Sequence, residues 1–383
     1  MSSSKKALVI RPGHAIGDAV FITPVPRLLA KQGYQVDVAC QKHNFEVFAN
    51  NPFINQMIEI PMQATEEGWL EKFMERCKDY EKTFQMSGHL EVGLMHRTDV
   101  DWGTIPNGQD RRASAMKINY QDHIFKQAGV ADTACKPEFY FSDDEKAQVA
   151  ETLRIKREKQ EVLVLWQWEG SSRSKELVFA PDYLREILKR VPNSNHYVFA
   201  QSQNMQGRIP DDHRVHNAWG VSGIRNTILL TSVADMVIGP ESFMVNAAGA
   251  FDTPKMIFFS HSTPYNLAKY YDNCYAAVPL PDTNCHPCYL IHVDFRMVFN
   301  PQRRAVSRIY EKNCQTFGEK FPYRMMGYKC CVNLPHKEIM DTMVKVLRTF
   351  PKKRMRNATQ KIKAVQNQKA QGYAQTQEHA QIG

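Results

Sequence analysis

The chain has 383 residues, 43% of them hydrophobic, enough to bury sizeable cores and to divide into two domains plus appendages. No apolar run approaches the roughly 18 residues of a membrane span, and the four apolar residues after Met1-Ser2-Ser3-Ser4-Lys5-Lys6 are too few for a secretory core. A cytoplasmic protein is therefore expected, with its nine cysteines as thiols or metal ligands rather than a disulfide framework. The formal charge of +9 is uneven: from Pro351 onward seven lysines and arginines face the single acid Glu378, which leaves about +3 for the rest. That Gln-rich tail has too few large apolar residues to offset the entropy of ordering. It is expected to be disordered, either as a solubilising end or as an electrostatic contact for DNA or an anionic membrane face.

In chain order, the strand Ala7–Ile10 runs into Arg11-Pro12-Gly13-His14-Ala15-Ile16-Gly17-Asp18 and then an apolar segment ending in a helix over Pro26–Lys31. Gly13 and Gly17 let the backbone turn and approach a ligand, with His14 between them. Asp18 falls where α/β sheets bind ligands, outside the carboxyl end of a strand, although it could equally cap a helix. A strand at Val36–Cys40, a helix at Phe45–Asn50, a strand at Met57–Ile60 and a helical pattern over Trp69–Tyr80 follow. His89–Asn107 reads as an irregular edge suited to an acceptor, and Arg111-Arg112 leads into a helix over Ala113–Gly129. The first half closes with strand-like Glu138–Phe141 and the charged segment Ser142–Gln160.

The second half repeats the plan. A buried strand, Glu161–Trp166, enters the loop Gln167–Lys175, and a helix runs from about Pro181 to Arg190. The loop holds a glycine, the hydroxyls of Ser171 and Ser172, and the cations Arg173 and Lys175 near a helix start, which suits an anion but also an ordinary solvated connection. His196–Ala200 is a further strand. Val237–Gly239 then leads through Pro240-Glu241-Ser242 into a helix containing Asn246 and the small residues Ala247, Ala248 and Gly249, followed by a strand within Asp252–Ser260. Small side chains there would let a helix N-terminus approach a phosphate, and Glu241 could accept hydrogen bonds from a sugar hydroxyl.

These segments resemble glycosyltransferase family 9, the heptosyltransferase family that builds lipopolysaccharide cores from nucleotide-activated sugars. The resemblance spans about residues 7 to 348. It rests on Gly17-Asp18 with Thr23-Pro24, on Asn51-Pro52-Phe53-Ile54, and on the element from Gly239 to Pro254. It implies an α/β fold of GT-B type, two Rossmann-like domains facing across a cleft: an acceptor-side domain at 1–155, a nucleotide-sugar domain at 156–350, and the tail at 351–383. It further implies an inverting transfer without a required cofactor, with Asp18 as base. Ser171 or Ser172 with Lys175, and Arg173 beside them, would meet the diphosphate, while Glu241, Ser242 and Asn246 would meet the donor sugar. Glu241-Ser242-Phe243 and Asn246 stand where the family has Asp-Thr-Gly and His, so a donor other than heptose is expected. The acceptor would be a glycolipid or lipopolysaccharide-type glycan, or a modified DNA base in view of the tail, with the protein cytoplasmic or peripheral at the inner membrane face. A non-catalytic sugar-nucleotide or glycan binding protein is the competing expectation.

The cysteines allow two readings. Cys285, Cys288, Cys314 and Cys331 could surround a structural zinc, although their spacing fits no standard zinc module, and free or redox-labile thiols are the alternative. His14 and His261 are loop histidines suited to sit near phosphate.

Overall fold

The computed structural model describes residues 5–61, 69–85, 118–130, 136–171, 175–283, 286–287 and 329–351. Two parallel sheets are built on alternating strands and helices. In the first, β1 (Lys6–Arg11) is followed by α1 (Ile16–Ile22), α2 (Val25–Lys31), β2 (Gln35–Cys40), α3 (Phe45–Phe48), β3 (Ile54–Glu59), α4 (Trp69–Cys77), β4 (Lys82–Gln85) and α5 (Tyr120–Ala128). The strand order is β3-β2-β1-β4, with Ala7 opposite Val36 and Lys82. β1 and β2 are buried almost end to end, as parallel strands covered on both faces must be. The expected helix over Ala113–Gly129 is present as α5, and residues 113–117 lie outside the described residues, as do 89–107 and Arg111-Arg112.

The alternation at Glu138–Phe141 predicts a strand, yet no ladder forms there. The Glu138 N–H donates to Thr23 Oγ1 (2.9 Å), and its carboxylate takes Arg27 Nε (2.9 Å) and the Tyr140 hydroxyl (3.0 Å). Phe139 and Phe141 stack on Phe251 of the second half, and Tyr140 meets Phe53 of the first. The period of two thus serves an interface rather than a sheet. Thr23, part of the Thr-Pro motif, is the anchor that ties this crossing to α1.

After α6 (Asp143–Lys159) the second sheet is built from β5 (Val162–Gln167), α7 (Ala180–Arg190), β6 (Ser194–Phe199), α8 (Gln203–Gln206), β7 (Val215–Asn217), α9 (Ile224–Val233), β8 (Met236–Pro240), α10 (Phe243–Ala248), β9 (Lys255–Phe258), α11 (Pro264–Ala268) and β10 (Cys274–Ala277). Further on come α12 (Lys329–Val332) and α13 over 336–351. The strand order is β10-β9-β8-β5-β6-β7. Its order reverses between β5 and β8, and that of the first sheet between β1 and β4; such reversals open crevices at the carboxyl ends of strands.

One apolar core joins the halves. Val9, Val38 and Phe21 from the first unit belong to the same buried cluster as Leu165, Val237, Val245 and Ile257 from the second. The outer face of the second sheet packs separately on α7 and α13 through Trp166, Ile187, Met343 and Leu347. The outer face of the first sheet, with Leu8, Ile10 and Ile58, is closed by Phe73 and Cys77 of α4.

Candidate active site

Asp18 lies in the first turn of α1, and the position that caps the helix is Ala15, whose side chain makes no cap hydrogen bond. The capping alternative for Asp18 is therefore overturned. A carboxylate in a first helical turn is favoured by the positive end of the helix. Arg11, fully buried at the end of β1, places Nη2 3.0 Å from Asp18 Oδ2 and 3.4 Å from the Ala15 carbonyl. A β-carbon at position 13 would stand 2.4 Å from Arg11 Nη1, so Gly13 is what lets the guanidinium pass beneath the loop. The loop is held from β2's side: Gln41 Nε2 donates to Pro12 O (3.1 Å) and Asn44 Nδ2 to Gly13 O (3.3 Å). His14 is exposed, its ring parallel to that of His43, whose Nε2 is 3.0 Å from the His14 carbonyl.

Gly17 brings α1 against the second half. Its would-be β-carbon lies 3.4 Å from both the Phe243 nitrogen and Asn246 Nδ2, and Asn246 Nδ2 donates to the Gly17 carbonyl (3.4 Å). Buried Asn246 thus ties α10 to α1, next to Asp18. Ser242 donates to Gln167 Oε1 (2.6 Å) across the reversal between β5 and β8, and the same oxygen accepts from the Met244 N–H (3.1 Å). Ala247 and Ala248 are fully buried and Gly249 abuts the Tyr271 ring, where a β-carbon would stand 2.5 Å from Cε1. Their smallness serves packing at the far end of α10, not approach of a ligand to its start.

Lys175 is buried, and its Nζ donates to the Glu241 carbonyl (2.6 Å). Its stem crosses Gly170, where a β-carbon would be 2.8 Å from Lys175 Cβ and Cδ. The Glu241 carboxylate is engaged by its own neighbours: His261 Nδ1 lies 2.7 Å from Oε2, Ser260 Oγ donates to Oε2 (3.3 Å), and the N–H and hydroxyl of Ser262 donate to Oε1. Burial pushes this carboxyl up, but His261, then Lys175 and Ser262, outweigh it and hold it down at about 2. His286 Nε2 meets the Ser262 carbonyl (3.0 Å), and burial lowers the basicity of its ring.

Ser171 is exposed at the mouth of the same loop, while Ser172 and Arg173 lie outside the described residues. So do Cys285, Cys288 and Cys314. Cys331 is buried beside Cys330 with Sγ atoms 3.9 Å apart, and among the described residues no three histidine, cysteine or acidic groups gather as metal ligands. Residues not singled out from the sequence also belong here. Arg11 carries a signal, a cation ending a buried strand just before a glycine. Gln167, Ser260 and Ser262 carry none, because their partners come from other strands. Trp219, 44% exposed, and Val221 stand on the loop after β7, which reaches the first half at Gly223, a would-be β-carbon 3.6 Å from Glu46 Oε2.

No protein-family model matches the chain, and no curated protein matches its sequence. Among solved structures it is similar to the glycosyl transferase family 9 protein from Veillonella parvula DSM 2008, with 12% identity, 91% of this chain and 98% of that one covered, and a TM-score of 0.60. It is also similar to E. coli ADP-heptose lps heptosyltransferase II, with 12% identity, 80% of this chain and 98% of that one covered, and a TM-score of 0.53. The fold is accordingly two Rossmann-like α/β units of GT-B type. Among the described residues no helix is long and apolar enough to cross a membrane.

Proposed function

We propose that the protein is a glycosyltransferase, moving a sugar from a nucleotide-sugar donor to an acceptor hydroxyl in one inverting displacement. One observation carries this reading: on a fold shared with glycosyltransferases, the strand-end loop bearing Asp18 and the one bearing Glu241 and Ser242 meet through Gly17, Phe243 and Asn246. Asp18 takes the proton of the acceptor hydroxyl as its oxygen attacks the anomeric carbon; the bond from that carbon to the phosphate oxygen breaks on the opposite face. Lys175, with Ser171, Ser172 and Arg173 in the same loop, meets the charge left on the departing nucleotide, where electrostatic stabilisation has most to gain. The scheme needs neither a covalent enzyme intermediate nor a metal participant.

The acceptor in this reading is a glycolipid or lipopolysaccharide-type glycan reached from the cytoplasm or the inner membrane face, with a modified DNA base as the alternative. Deleting residues 351–383 and measuring salt-dependent binding to DNA and to anionic liposomes separates these. A structural zinc on Cys285, Cys288, Cys314 and Cys331 is tested by elemental analysis of the purified protein.

A second reading, sugar-nucleotide binding without turnover, is favoured by the Arg11 guanidinium, which already pairs with the Asp18 carboxylate. A mass-spectrometric screen of nucleotide sugars for binding, hydrolysis and transfer decides between them. For the transferase, Asp18→Ala should reduce transfer by about 10²–10⁴-fold while leaving donor binding in place. Donor binding by the unaltered protein with no turnover across the panel of donors and acceptors would establish the binding protein instead.

A further inference from the structure

Resting on the reading of this cleft as a nucleotide-sugar site, we infer that Glu241 is a positioning residue for the donor diphosphate, setting two basic side chains, Lys175 and His261, that come from different strand ends. Its backbone carbonyl takes Lys175 Nζ (2.6 Å) and its carboxylate takes His261 Nδ1 (2.7 Å). A sugar hydroxyl has no place on this carboxylate. A carboxylate offers about four lone-pair sites, and His261 Nδ1, Ser260 Oγ, and the N–H and hydroxyl of Ser262 converge on its two oxygens.

The geometry explains why the acid is glutamate. One residue must serve both loops from the end of β8, its carbonyl staying with the β5 loop that carries Lys175 while its side chain crosses to the loop after β9. The extra methylene supplies that reach. Gly170, under the Lys175 stem, and the Ser260–Ser262 turn around the carboxylate hold the two basic groups from either side. A diphosphate is the chemical class that two such groups on the strand ends flanking β8 would receive, because its negative charge is spread over several oxygens.

Titration calorimetry tests this with ADP, UDP and GDP, and with the sugar nucleotide selected by the donor screen, on the full chain well below each variant's melting temperature. Glu241→Gln puts an amide N–H₂ among groups that donate. It should weaken the nucleoside diphosphate and its sugar nucleotide by the same factor, about tenfold or more. His261→Gln should do likewise, and the double variant should bind within about twofold of the weaker single one, as coupled residues do. A loss confined to the sugar nucleotide in Glu241→Gln would make Glu241 a sugar ligand and overturn the inference, as would single effects that multiply in the double variant. If Glu241→Gln does not fold, Ser262→Ala and His261→Gln carry the same comparison, each removing one partner of the carboxylate. If the unaltered protein binds none of the three diphosphates or the nucleotide sugars, the reading of the cleft falls first and this inference with it.

Discussion

His196, in β6, has no exposed surface and sits in a chain of hydrogen bonds whose direction follows from its donors. Trp166 Nε1 can only donate, so Nδ1 accepts (3.0 Å); Nε2 then donates to Ser194 Oγ (2.7 Å), whose own proton goes to the Val191 carbonyl (2.6 Å). Burial, assisted by Arg214, pushes the ring down from 6.5 to about 3, so the folded protein keeps it neutral. The unfolded chain takes up a proton below pH 6.5 that the folded one refuses until about pH 3. This contribution is therefore complete above pH 6.5 and declines as pH falls, by about 1.4 kcal/mol per pH unit across that window. Urea unfolding of His196→Ala at pH 7 and pH 5 should show a variant about 2–4 kcal/mol less stable at pH 7, from the cavity and the orphaned indole N–H. The gap to wild type should narrow at pH 5; an unchanged gap would remove the assigned role. At this scale the loops carrying Asp18 and Lys175 were legible because glycine, hydroxyl and charge sit next to a strand end. The Arg11–Asp18 and Glu241–His261 pairs were not, since hydrogen-bond partners across strand ends leave no mark in local spacing.

Among the elements, α6 shows how tertiary anchoring replaces amphipathicity. None of its described side chains is buried, yet Ser142 and Glu145 close a capping box at its start. Glu145 also pairs with Arg225 Nε (2.6 Å) and Nη2 (2.7 Å), and Lys156 reaches Asp235 (2.7 Å). Ser142→Ala should cost about 1 kcal/mol in thermal or urea unfolding. The Arg225 hydrogen bonds hold the Glu145 carboxyl down at about 2, against the opposing push of partial burial. That stability is present above the ordinary value of 4.5 and is lost as pH falls through about 2. Arg225→Ala should thus lower stability by about 1.5–3 kcal/mol at pH 7, with a smaller gap to wild type at pH 3, read by the same urea titrations. From the sequence, Ser142–Gln160 is only a charged segment, because Val149 and Leu153, the pair that packs partly buried against the shared core, are too few to read as an apolar stripe. Glu138–Phe141 misleads in the opposite sense: its alternating aromatics answer two different halves of the molecule, not two faces of a sheet.

Across the whole molecule the two sheets are joined by more than a linker. Besides the shared apolar core, Asn119 Nδ2 donates to the Tyr265 carbonyl (2.9 Å) and Asn266 Nδ2 to the Ile118 carbonyl (2.8 Å). Asp122 takes both Lys269 Nζ (2.7 Å) and the Tyr270 hydroxyl (2.6 Å). On the opposite flank the Arg225 N–H donates to Glu46 Oε2 (2.7 Å). Units that bury apolar surface against each other lose much of their stability when separated, so calorimetry should record one transition with calorimetric and van't Hoff enthalpies in agreement. Asn119→Ala should lower the temperature of that single transition; two resolved transitions, only one of them shifted, would show that the halves unfold independently.

The sequence by itself determined the strand–loop–helix repeats and the polar and charged groups that follow the strand ends, because hydrophobic period, glycine and charge act over a few residues. Its motifs around Gly17-Asp18 and from Gly239 to Pro254 also carried a fold resemblance that the three-dimensional likeness bears out. Only the tertiary structure decided what those groups touch: that Asp18 shares its carboxylate with Arg11, that Asn246 ties α10 to α1, and that the Glu241 carboxylate faces its own protein. Burial and pairing depend on which distant segments fold together, and a buried charge is held wherever the fold supplies its partners.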